Sequence, residues 1–183
     1  MPFFQFGDDT GLPYKTVDER VMRASAGIML ALGIIASING FILRNYLAVS
    51  IIAGFLMLNF LIGLLLNLRY APTFILAKAV VGKQTPLPVG AIQKRFAWSL
   101  GLALSVLIFS LSLGLVFSGG AFFQPVCMLC VICLALLYLE TAFGICVGCK
   151  LYPLAIKLGL LREPEVRPNC MGGVCELPSS QEP

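Results

Sequence analysis

Seven cysteines and no histidine set the chemistry open to this chain. Without histidine there is no imidazole base, no His-ligated zinc or haem, and no Ser-His or Cys-His dyad. Cys127, Cys130 and Cys133 form two overlapping C-x-x-C units. A third unit is Cys146-Val147-Gly148-Cys149, and Cys170 and Cys175 follow. Residues i and i+3 of a helix are close enough to join in an exchangeable disulfide. A helix N-terminus favours the thiolate of the first cysteine, and Cys127 and Cys130 are expected to have that placement. Such a pair can accept and release two electrons, or carry sulfur as a persulfide. Cysteine also packs as a small apolar side chain, so the ladder of three reads equally as packing. Cys146, Cys149, Cys170 and Cys175 could instead close a tetrahedral zinc site with four thiolates, although the last pair is spaced unlike a standard zinc knuckle. Glu140 lies near the helical line through Cys127, Cys130 and Cys133. A carboxylate inside an apolar run faces the interior of a bundle. There it serves as a proton carrier or accepts a hydrogen bond, with Asn39, Asn59 or Asn67 as donors.

The elements that must position these groups are membrane helices. Apolar residues make up 58% of the 183 and charged residues 12%, against about 45–50% and roughly 25% in soluble domains. A chain this short cannot hide that much apolar side chain in one water-soluble core. A soluble enzyme, a nucleic-acid module and a disordered chain are excluded. Four continuous apolar runs, at about residues 21–43, 46–68, 96–118 and 122–145, reach the ~20 residues needed to cross a bilayer. Continuous rather than alternating runs predict helices rather than barrel strands. The fold class is therefore all-α, a polytopic bundle of four transmembrane helices. Residues 1–16 precede the membrane domain of residues 17–162, and residues 163–183 read as a flexible tail. The N-terminus shows no signal peptide: it is mixed, with Asp8, Asp9, Asp18 and Glu19 and no basic start.

Local signals mark the helix ends. Thr16-Val17-Asp18-Glu19 predicts a capping box with Thr16 as N-cap. Gly119-Gly120 separates the third and fourth spans, and Pro125 suits the first turn of the fourth. Two shorter apolar segments, residues 71–82 and 151–161, suit interfacial helices whose Lys78 and Lys157 reach the headgroups, or partner-docking helices. With these boundaries Cys127 and Cys146 sit at opposite faces, separated by about 28 Å of one helix at 1.5 Å per residue. Of the 13 Lys and Arg, all but Arg44 fall in the first, third and fifth segments that the spans define. The positive-inside rule then places both termini and the central loop in the cytoplasm.

The stretch Phe143-Gly144-Ile145-Cys146-Val147-Gly148-Cys149-Lys150-Leu151-Tyr152 resembles the signature of a bacterial membrane family of unknown function, F-G-x-C-x-G-C-K-x-Y. Val17-Asp18-Glu19-Arg20 resembles that family's V-D-x-R opening. Lys94-Arg95-Phe96-Ala97 resembles its R-F-A start to the third span. The resemblance implies a four-helix integral membrane protein, associated in places with thioredoxin-like or sulfurtransferase partners, and brings no established reaction. More locally, Cys127-Met128-Leu129-Cys130 is similar to the active site of vitamin K epoxide reductase, a quinone-linked thiol oxidoreductase. That family's partner cysteines are missing from Arg44-Asn45-Tyr46.

Three functions remain open on the residues alone. In the first, thiol redox or sulfur transfer uses Cys146, Cys149, Cys127, Cys130, Cys133 and Glu140, with a quinone as one possible acceptor. In the second, a membrane scaffold presents a cytoplasmic cysteine cluster, with or without zinc, to a partner. In the third, a small transporter, working as a homo-oligomer, has Glu140 in its path.

Overall fold

The apolar runs close their backbone hydrogen bonds within themselves, as lipid demands of any spanning segment. The computed structural model describes residues 6–8, 14–118, 120 and 122–161. Four of its helices are long and apolar enough to span a membrane: α1 (Glu19–Phe41), α2 (Tyr46–Leu65), a third spanning Ala91–Ser118 and a fourth spanning Phe123–Phe143. Between the second and third lie a 3-10 turn (Leu68–Tyr70) and the short helix α3 (Pro72–Val81). The third and fourth spans are therefore α4 and α5, and α6 (Val147–Lys157) follows. The chain is an all-α polytopic bundle, as its composition requires.

The spans run alternately up and down. α1 packs against α2, α3 and α5, while α4 packs against α2, α5 and α6. Small residues let the helices approach, as is usual where no hydrophobic effect drives helix pairing. A Cβ added at Gly33 would stand 2.8 Å from Leu134, and one at Gly101 2.7 Å from Phe60. The outward faces carry Ile34, Ile35, Ile51, Leu58, Leu107 and Val131, all exposed, as a lipid-facing surface should.

One end of the bundle is capped. There α1 and α4 begin and α2 and α5 finish. A small antiparallel sheet pairs β1 (Thr16–Asp18) with β2 (Pro88–Gly90), Val17 opposite Val89. This changes the expected start of the first helix. Thr16 belongs to β1, and the N-cap is Asp18, whose Oδ1 accepts the Arg20 N–H at 3.0 Å and the Leu87 N–H at 3.2 Å. Thr16 is not the N-cap because it is held in the strand pairing, the Glu19 N–H donates to the Leu87 carbonyl at 2.9 Å, and the Glu19 carboxylate is drawn to cationic partners. Phe6, Val17, Val89, Leu68, Phe74 and Trp98 bury together beneath this cap.

α3 is more than a helix resting on headgroups. Its Thr73 donates to Asn59 Oδ1 on α2 through both the amide and the hydroxyl, each at 3.0 Å. The Thr73 hydroxyl also bonds that of Ser25 on α1 at 2.8 Å. Thr73, Ser25 and Asn59 are fully buried, so each needs such a partner. Lys78 remains exposed, consistent with headgroup contact.

Candidate functional site

The fourth span stops earlier than its apolar run suggests. α5 finishes at Phe143, because Gly144 takes a left-handed conformation at φ 66°. The Gly144 N–H donates to the Glu140 carbonyl at 3.1 Å and the Ile145 N–H to the Leu139 carbonyl at 3.0 Å. This is the glycine-terminated ending that leaves the last carbonyls satisfied. Cys146 and Cys149 are consequently not on the helix that carries Cys127. The single helix with thiols at both faces is replaced by two helices and a sharp turn.

That turn makes the site. Cys146 is the N-cap of α6, and Cys149 is the third residue of its first turn. The two are joined by a disulfide, with Cα atoms 5.2 Å apart. The Cys149 N–H donates to Cys146 Sγ at 3.2 Å. The helix start thus brings the pair together and offers one of its own free N–H groups to sulfur. The placement expected of Cys127 and Cys130 belongs instead to Cys146 and Cys149.

The pair is held from two sides. At Gly148 a Cβ would come within 2.7 Å of Ala97, so α6 lies directly on the α4 backbone. Tyr152 stacks edge-on against Phe96, with ring centroids 5.7 Å apart, and burial pushes its phenol above the usual tyrosine value. On the other side a Cβ at Gly144 would collide with the Arg23 guanidinium. Gly144, two residues before Cys146, is therefore pressed against the Arg23 side chain of α1.

Beneath the turn lies a network of four charges from three helices. Lys94 Nζ is 2.9 Å from Glu19 Oε2 and 2.9 Å from Glu140 Oε1. Arg23 Nε is 3.2 Å from Glu19 Oε1. Lys94 and Glu19 are almost completely buried, with side chains 6% and 4% exposed. Glu140, expected as a proton carrier or as the partner of an asparagine, is ion-paired to Lys94. The asparagines are engaged elsewhere: Asn39 donates to the Ile35 carbonyl, Asn59 is committed to Thr73, and Asn67 accepts from Arg69. Sequence reading missed Lys94 and Arg23 as partners. Only part of the signal was present: Arg23 falls inside the first apolar run, where a charge has to find an anion or reach water, whereas Lys94 precedes the third run and joins that helix because α4 starts at Ala91.

Cys127, Cys130 and Cys133 are free thiols, each half-buried. α5 begins at Phe123, so Cys127 is already a full turn inside, beyond the strongest part of the helix dipole. Cys130 and Cys133 line a small apolar cavity with Gly33, Ser37, Ala53 and Ile108. Its volume is about 50 Å³, about a third of that of an engineered apolar cavity known to hold benzene, about 150 Å³. Among the described residues no three cysteine or acidic side chains gather as a metal site. Zinc on four thiolates would need Cys146 and Cys149 reduced, and Cys170 and Cys175 lie outside the described residues.

A family model described as Domain of unknown function (DUF4395) matches residues 17–157. The chain belongs to that family. The match runs from β1 to the last turn of α6, so it contains both the charge network and the Cys146–Cys149 turn. No curated protein and no solved structure matches the chain. The local likeness of Cys127-Met128-Leu129-Cys130 to vitamin K epoxide reductase therefore has no counterpart among these comparisons.

Proposed function

We propose that this membrane protein carries out thiol–disulfide exchange at Cys146 and Cys149, on the cytoplasmic face of a bacterial inner membrane. The observation that carries the reading is the Cys146–Cys149 disulfide across the first turn of α6, at the end of the bundle where the basic residues collect. The positive-inside rule assigns that end to the cytoplasm. A disulfide facing a reducing compartment is transient and catalytic rather than structural. Exchange requires direct sulfur contact, and a pair that follows the last apolar span instead of lying within it suits that need. The natural electron donor is a soluble protein dithiol of the thioredoxin-like kind. Two electrons pass from the dithiol, which leaves as a disulfide, to Cys146 and Cys149, which become thiols.

Cys127, Cys130 and Cys133 have no step in this reaction. Along α5 alone, Cys127 is about 24 Å from Phe143 at 1.5 Å per residue, far beyond sulfur contact. Their inward placement beside Gly33 and Ile108 supports packing. Glu140 acts by holding Lys94 beneath the turn.

The test counts thiols. Protein purified in detergent, with Cys170→Ser and Cys175→Ser, is treated with a reduced thioredoxin-type dithiol, alkylated and weighed intact. A gain of two alkylated thiols is expected. Cys146→Ser or Cys149→Ser should abolish the gain, and Cys127→Ser, Cys130→Ser and Cys133→Ser together should leave it intact. Labelling of both cysteines before any reductant is added, in protein taken oxidised from cells, would rule out the reading.

A further inference from the structure

We propose that Cys149 is the sulfur attacked by the incoming thiol and that Cys146 is the thiolate that leaves. The inference rests on the exchange reading above and gives it a direction. Two independent observations support it.

The first is access. Cys146 is 9% exposed, enclosed where Gly144 lies against Arg23 and Gly148 lies against Ala97. Cys149 is half-buried and stands on the first turn of α6, followed by the exposed Lys150 and Leu151. A protein thiol approaching from water meets Cys149 first.

The second is the fate of the charge. Breaking the disulfide leaves a pair of electrons on the departing sulfur. Cys146 Sγ already accepts the Cys149 N–H at 3.2 Å, and it occupies the N-cap, where the helix dipole and the free N–H groups stabilise an anion. Cys149 Sγ accepts no hydrogen bond among the described residues, and its own N–H donates to Cys146. A better-stabilised thiolate leaves faster. A dipole argument alone would name Cys146 as the attacking thiol of the reduced protein. Its enclosure assigns it instead to leaving and, in reverse, to resolving.

A donor thiolate attacks Cys149 Sγ, a donor–Cys149 sulfur bond forms, and the Cys149–Cys146 bond breaks with its electron pair going to Cys146. The donor's second thiolate then attacks the donor sulfur of the mixed disulfide. The donor leaves oxidised, and Cys149 leaves as a thiolate that takes a proton from water.

Glutathione tests this with the unaltered protein. The oxidised protein is mixed with reduced glutathione, quenched in acid at short times, alkylated, and mapped by tandem mass spectrometry. Glutathione on Cys149 with Cys146 alkylated is expected, in several-fold excess over the reverse arrangement. Equal amounts, or glutathione mainly on Cys146, would overturn the assignment while leaving exchange itself in place. No adduct at either cysteine, with the disulfide still intact, would overturn the exchange reading and this inference together.

Discussion

Lys94 is the residue on which three helices meet. It neutralises Glu19 of α1 and Glu140 of α5 from its place on α4. Removing one partner of a buried ion pair leaves an uncompensated charge, which costs about 3–5 kcal/mol. Lys94→Met should therefore destabilise the bundle by about that amount. Glu140→Gln should cost less, about 1–2 kcal/mol, because Lys94 keeps Glu19 and an amide oxygen can still accept its hydrogen bond. Denaturant or thermal unfolding in micelles measures both. Equal losses for the two variants would show that Glu140, not Lys94, is the centre of the network. Each of these residues is legible in the sequence as a charge at an apolar boundary. Their pairing is not, because Lys94 and Glu140 lie on helices whose relative rotation no local pattern states.

Among the elements, the turn between α5 and α6 governs the site. The resemblance to F-G-x-C-x-G-C-K-x-Y marked this stretch, yet hydropathy carried the fourth span through to residue 145. Apolar Phe143 and Ile145 conceal the stop that Gly144 makes with its positive φ. Gly159 provides an internal comparison: it also has a positive φ, 72°, but nothing stands within 4 Å of an added Cβ. Gly159→Ala should cost only the left-handed strain, about 1–2 kcal/mol. Gly144→Ala adds a collision with Arg23, and such overpacking typically costs a further 1–3 kcal/mol. The larger loss at Gly144, measured by unfolding, should come with loss of exchange at Cys146 and Cys149. Similar losses at both glycines would mean that Arg23 moves aside freely. The capping box failed for a related reason. Thr16 and Glu19 have the right spacing, but β1 pairs with β2 across more than seventy residues of chain, and Glu19 is drawn to Lys94 and Arg23.

For the whole molecule, the distribution of 13 basic residues predicts which end faces the cytoplasm. In spheroplasts, a membrane-impermeant maleimide applied from outside should reach a cysteine placed at Arg44. It should fail to reach Cys149 even after reduction, until the membrane is opened. Labelling of Cys149 from outside would invert the orientation and remove the argument from a reducing compartment. The sequence by itself determined the class of the molecule, the number of spans, their approximate limits and the cysteines at issue. Those follow from apolar run length and residue type, which are local properties. Tertiary structure alone decided that Cys146 and Cys149 share a helix start apart from Cys127, that Glu140 is paired with Lys94, and that α3 is bound through Thr73 to Asn59 and Ser25. Each depends on groups from different helices meeting in a low-dielectric interior. There an unpaired charge or hydroxyl is costly, and only the packed bundle shows which partner satisfies it.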